Sequence, residues 1–243
     1  MTARERRSIA LDESTQESLA RIRIALLAWF KRTARDFVWR RDRSDEYLLV
    51  VSEVLLQRTQ AGVVNDFLPA FLLRYPSWER LARTRLSTLE RVLKPLGLWR
   101  RRAEVLKALS RERVRLGAFP SERAALETLP GVGQYVANAI ELHVYGRHRP
   151  LLDSSMARVL ERCFSARHLV DIRFDPWLQS LSHALVDNEN SCLINWAILD
   201  VAALICQSRS PHCAICPLLE NCNFGRVRRS TQRLILESDV NSE

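Results

Sequence analysis

Residues 129–135 read L-P-G-V-G-Q-Y. They lie between two segments with helical spacing, 121–128 and 134–145. Pro130-Gly131 ends the first segment. Gly131 and Gly133, one residue apart, permit positive φ and a close approach of another backbone. The N–H groups that open the next helix can then meet a phosphate oxygen, and the helix dipole favours the anion. Such a turn suits a grip on a nucleic-acid backbone that ignores base sequence. A plain helix–helix turn uses the same residues, so the reading depends on what lies around it.

Outward from the turn the same periodicity recurs. Segments 16–34, 46–58, 62–74, 87–95, 101–116, 153–164, 176–187 and 191–206 all place apolar residues three or four apart. No useful strand-like alternation is present, and breaks fall at Pro76, Pro95-Leu96-Gly97, Gly117, Pro120 and Gly146. The chain therefore reads as all-α with short connections, and residues 227–243 read as a loose polar tail. Its 243 residues allow one large domain or two small ones. A formal net charge of +9, with Arg favoured over Lys, fits a polyanionic partner or a merely solvated basic surface. No apolar run reaches the roughly 18 residues of a membrane span. Residues 1–18 show no signal-peptide core. An intracellular protein without membrane association is expected.

Six cysteines in such a chain point to metal or free thiols rather than disulfides. Four of them, Cys206, Cys213, Cys216 and Cys222, form C-x6-C-x2-C-x5-C. A four-cysteine zinc site usually pairs two C-x2-C knuckles, and only one is present here. Four thiolates on a [4Fe–4S] cube match better. Zinc and four unrelated core cysteines stay open at this point. Arg209, His212, Arg226, Arg228 and Arg229 surround the run, which suits a stapled loop facing DNA. Cys163 and Cys192 fall in apolar helical contexts and read as core residues.

Two further stretches carry chemistry. Residues 52–60 are S-E-V-L-L-Q-R-T-Q. On a helix over 46–58, Glu53 sits among apolar residues, Gln57 lies one turn on, and Gln60 lies about a turn beyond that. Residues 151–153 are L-L-D, with Asp153 opening a helix where a plain N-cap is common.

The order of these pieces resembles the helix-hairpin-helix DNA glycosylases with an iron–sulfur cluster, the superfamily of endonuclease III. The likeness runs from about Trp29 to Cys222 and includes Trp39-Arg40, S-E-V-L-L-Q-R-T-Q, L-P-G-V-G, L-L-D and the four cysteines. Within it, the Glu53 run and L-L-D-S-S-M-A-R-V-L are similar to the MutY adenine glycosylases and the MIG thymine/uracil mismatch glycosylases. The resemblance implies two helical lobes. One is a six-helix barrel over 38–146 that includes the hairpin. The other joins 1–37 to 147–226 and holds the cluster. The implied partner is double-stranded DNA with a mispaired or damaged base, bound by a monomer in a cleft between the lobes where Glu53 and Asp153 face each other.

The same resemblance assigns roles. Asp153 stabilises the cationic sugar or orients water, and Glu53 serves the departing base. Burial of Glu53 favours its neutral, proton-donating form. Gln57 fills the gap left by the flipped base, Arg58 meets the opposite base or a phosphate, and Gln134 lines the site. Gly131 and Gly133 form the phosphate grip. Tyr135 stands where endonuclease III has a Schiff-base lysine, so a monofunctional glycosylase without lyase activity is expected.

Three departures from MutY favour thymine or uracil opposite guanine over adenine. Only 21 residues follow Cys222 (243 − 222), too few for MutY's extra domain. Gly97-Leu98-Trp99-Arg100-Arg101 replaces its G-L-G-Y-Y, and Tyr135 replaces a small residue. Adenine removal from mispairs with guanine or 8-oxoguanine is the alternative. A non-catalytic DNA-binding module and a redox sensor are the rival classes.

Overall fold

The computed structural model describes residues 9–240, with side chains as far as residue 231. Among the described residues every regular element is a helix, and no helix is long and apolar enough to cross a membrane. The chain divides into two compact units, Asp36–Arg147 and a second built from residues up to Arg35 and from His148 onward.

Helix α1 (Glu13–Thr33) starts the second unit. The Asp12 carboxylate caps it, accepting from Thr15 N at 2.7 Å. Leu19, Ile22, Leu26 and Phe30 follow at intervals of three and four and form its buried stripe.

The first unit contains α2 (Val38–Arg41), α3 (Glu46–Leu56), α4 (Ala61–Arg74), α5 (Trp78–Arg83), α6 (Leu86–Leu93), α7 (Trp99–Leu116), α8 (Arg123–Leu126) and α9 (Gln134–His143). These pack on one apolar cluster that includes Leu55, Leu68, Phe71, Leu81, Leu89, Leu106 and Ile140. Each fully buried leucine there contributes on the order of 2 kcal/mol. Helix α3 is the central element. Asp45 caps it through Leu48 N at 2.9 Å, and every residue from Tyr47 to Leu55 is buried. Its β-branched run stays helical because a helix that is apolar all round is stabilised by being surrounded.

The rest of the second unit is α10 (Ser154–Cys163), α11 (Pro176–Val186), α12 (Ser191–Leu204) and α13 (Asn223–Val240), with single 3-10 turns at Cys213–Ile215 and Leu219–Asn221. Its interior includes Leu26, Met156, Leu181, Leu185, Ile194 and Ile198. The buried Asp200 of α12 takes Arg35 Nε at 2.6 Å and Arg35 N at 3.0 Å, which fixes the chain where it leaves α1.

Several sequence expectations need correction. Helix α3 stops at Leu56 rather than 58. The segment 121–128 shrinks to the single turn of α8. Helices α2 and α5 lie outside the expected helical segments, since four to six residues cannot display a helical period; each forms around one buried tryptophan, Trp39 or Trp78. Helix α13 runs through most of the expected polar tail 227–243, as far as Val240. Beyond Gly225 that stretch has no Gly or Pro and carries several Arg, so its polarity is compatible with a helix.

Candidate active site

Glu53 lies in the third turn of α3 and is buried. The Tyr135 hydroxyl, from the first turn of α9, donates to Glu53 Oε2 at 2.9 Å. His143, two turns further along α9, places Nε2 3.6 Å from Glu53 Oε1, with both side chains buried. Two of the expected catalytic residues therefore meet directly, and the imidazole is an addition that the sequence did not disclose. The only signal available was a histidine eight positions beyond Tyr135 on the same helix.

The polar residues after Glu53 do not continue its helix. Gln57 is the C-terminal cap of α3, Arg58 turns left-handed with φ +58°, and Gln60 is the N-cap of α4. Gln57, Arg58 and Gln60 are exposed. The stripe expected on one helix is a buried carboxylate followed by a solvent-facing turn.

The glycine hairpin joins α8 to α9. Gly131 has φ +74°, and a Cβ there would collide with Val105, so the position excludes other residues. Gly133 differs: it is the N-cap of α9 with φ −88° and open space where a Cβ would stand. No side chain caps α9 at Gly133. Gln134 is half-buried, and its carbonyl accepts from Arg123 Nη2 at 3.3 Å.

Asp153 belongs to the other unit. It is the N-cap of α10, and its Oδ1 accepts from Ser155 N and Met156 N, both at 2.8 Å. Burial pushes its carboxyl above the ordinary aspartate value, against the opposing pull of the Met156 and Ser155 hydrogen bonds and the charge of Arg158. The backbone leading to it is pinned by the buried Asn195 of α12. That side chain accepts from Leu151 N at 2.7 Å and donates to the Arg149 carbonyl at 3.0 Å. Asn195 leaves no local signal for this role, because Leu151 and Arg149 lie more than forty positions away in the chain.

Helix α10 connects Asp153 to the cysteine run. Arg158 donates to the Cys206 carbonyl at 2.8 Å, and Arg162 Nη1 to Cys206 Sγ at 3.2 Å. Cys206, Cys213, Cys216 and Cys222 line one small pocket, closed by Arg162, Pro211, Leu219 and Phe224. All are free thiols. Gly225 N donates to Cys222 Sγ at 3.3 Å. A hydrogen bond from Cys163 lowers the Cys222 thiol's affinity for its proton, while burial pushes Cys216 up to about 11. Cys163 is thus a core residue, as expected, that also touches the cysteine run, whereas Cys192 is only half-buried. Among the described residues, no three His, Cys, Asp or Glu side chains form a single-ion site.

Residues 51–171 match the model of the HhH-GPD superfamily base excision DNA repair proteins. The thymine/uracil-DNA glycosylase of Pyrobaculum aerophilum is 37% identical over 215 residues, 86% of this chain and 93% of that protein. The human adenine DNA glycosylase is 28% identical over 89% of this chain, which spans 41% of that longer protein. The solved structure of a thermostable thymine-DNA glycosylase superposes with a TM-score of 0.80 at 30% identity, covering 88% of this chain and 99% of that one. With motifs, sequence and backbone shared over this length, the chain belongs to the HhH-GPD superfamily of base excision DNA repair proteins.

Proposed function

We propose that the protein is a monofunctional DNA glycosylase that flips thymine or uracil out of a mispair with guanine and hydrolyses its glycosidic bond. The observation that carries this reading is the Tyr135–Glu53 hydrogen bond, in a chain 37% identical to a thymine/uracil-DNA glycosylase. The target bond is shielded in the stacked duplex, so the nucleotide must leave the stack. When the bond breaks, its electron pair goes to the base and positive charge develops on the sugar. An enzyme gains most by stabilising both. Asp153 serves the sugar and the water that attacks it. Glu53, held by Tyr135, contacts the departing base. A phenol has no amine with which to form a Schiff base, so water is the final nucleophile.

DNA is held through its phosphates by the N-terminus of α9 at Gly133 and Gln134, with Gly131 shaping the turn. Gln57 fills the vacated stack and Arg58 faces the opposite strand. Cys206, Cys213, Cys216 and Cys222 hold a [4Fe–4S] cluster. Four thiols around one pocket, with Arg162 and Gly225 N–H donors on two sulfurs, suit a thiolate-bound group of that size. When bound, the cluster cross-links residues 206–222 and steadies a basic loop.

Adenine removal is the second reading. The likeness to adenine glycosylases, together with the buried carboxyl group of Glu53, favours it. A duplex panel separates the two. Labelled strands with U:G, T:G or A:8-oxoguanine are incubated with protein and then treated with alkali. Breaks at uracil or thymine opposite guanine support the proposal, and breaks at adenine alone support the second reading. No break on any duplex would leave a binding module. Borohydride should trap no covalent adduct.

A further inference from the structure

Arg102, in the first turn of α7, is buried, yet none of its partners is a carboxylate. Nη1 donates to the Leu96 carbonyl and to the Gly97 carbonyl, the latter at 2.6 Å. Nη2 donates to the Gln57 carbonyl at 2.6 Å and to Thr59 Oγ1. One guanidinium thus ties the turn before α7 to the turn after α3, whose Gln57 lies 45 positions before Arg102 in the chain. Burying a cation without a counter-ion is unfavourable, and burial here weakens its hold on the proton. The four oxygens compensate only because the planar fork reaches both turns at once. A lysine ammonium is a single point and lacks that reach.

The two turns share a second property. Arg58 (φ +58°) and Leu98 (φ +46°) are the non-glycine residues with positive φ among the described residues. Both are exposed, as is Gln57. The left-handed region is unfavourable for residues with a Cβ. Strain of this kind persists only where the surroundings over-determine it, and it gathers at functional sites. Here both strained residues sit over one buried clamp.

We infer that Arg102 is a positioning residue that locks the Gln57–Thr59 and Leu96–Leu98 turns into one rigid edge, so that Gln57 meets the opened base stack already in place. The inference rests on the glycosylase reading above. Ordering the edge before DNA arrives removes an entropic cost from the flipping step. Arg102 itself touches neither base nor sugar.

The test compares wild type, R102K and T59V by three readouts: amide exchange in the free protein, fluorescence of a 2-aminopurine beside the uracil of a U:G duplex, and single-turnover uracil release. In R102K, amides in both turns should exchange faster while the rest of the chain keeps wild-type protection. The fluorescence rise should fall, and release should slow by about tenfold or more, the effect of losing one or two charge-assisted hydrogen bonds. Affinity for undamaged duplex should change by less than about twofold, since phosphate contacts carry it. T59V removes one contact, keeps the arginine, and should shift the same readouts less. It also decides the matter if R102K fails to fold.

Wild-type exchange in both turns would overturn the clamp. So would faster exchange with unchanged fluorescence. If wild type releases no base, the glycosylase reading fails by itself, and exchange and fluorescence still judge Arg102.

Discussion

Asp153 caps α10 and, in the proposed reaction, serves the sugar; its substitutions separate the two roles. As the N-cap of α10 it accepts from two backbone N–H groups. Asparagine caps nearly as well as aspartate, whereas alanine costs about 1 kcal/mol. Asp153→Asn should therefore melt near wild type and bind duplex normally, yet lose base release by at least about 100-fold, the scale of removing one transition-state electrostatic partner. Single-turnover assays beside a thermal melt check this; retained release would refute the catalytic role.

The pH dependence of Asp153 has a defined sign. Burial raises its carboxyl above 3.8, so the folded chain favours the neutral form. That contribution to stability is present below the ordinary value and is lost as pH rises through the raised one. Catalysis needs the anion, so base release should fall as pH drops through a midpoint above 3.8. A pH–rate profile whose acid limb lies at or below that value contradicts the assignment.

Glu53, Tyr135 and Asp153 were legible because each sits in a local motif. His143, Asn195 and Arg102 were not, because their roles come from contacts with residues distant in sequence. A buried arginine bonded only to oxygens of neutral groups has no local pattern.

At the scale of elements, the hairpin shows both the reach and the limit of a motif. L-P-G-V-G correctly marked a turn between two helices, but it treated its glycines alike. Only Gly131 has positive φ and no room for a Cβ. Gly131→Ala should destabilise the fold by about 1–2 kcal/mol from the left-handed backbone alone, and more from the clash with Val105. Gly133→Ala should leave the melting temperature within the ordinary range of surface changes, about 0.5 kcal/mol. It should weaken DNA binding if a phosphate approaches α9 there. Melts and titrations of both variants with duplex test the pair. Wild-type affinity in Gly133→Ala would remove the phosphate from this site. Helix α3 teaches a similar lesson: the apolar run was readable, but the left-handed Arg58 just past its cap lies between Gln57 and Thr59, both bonded to Arg102 of another helix.

For the whole molecule, two bulk properties follow. With a net charge of +9, duplex affinity should fall steeply and linearly on a log–log plot against salt. Salt-independent binding would contradict a phosphate-gripping surface. Protein purified without oxygen should carry about four irons and four sulfides per chain, and Cys206→Ser should lose most of them. Zinc in their place would identify a different centre. The all-helical class and the motif order were visible in the sequence, since periodicity and spacing are local. The short α2 and α5 and the extent of α13 were not, because packing around single tryptophans and a polar sequence leave no periodic trace.

The reading as a thymine/uracil glycosylase meets its most direct test in single-turnover rates on matched duplexes that differ only in the target pair. Release from U:G and T:G should exceed release of adenine opposite 8-oxoguanine by at least about tenfold, a difference of about 1.4 kcal/mol in transition-state stabilisation. Faster release of adenine, or none from either mispair with guanine, would contradict it.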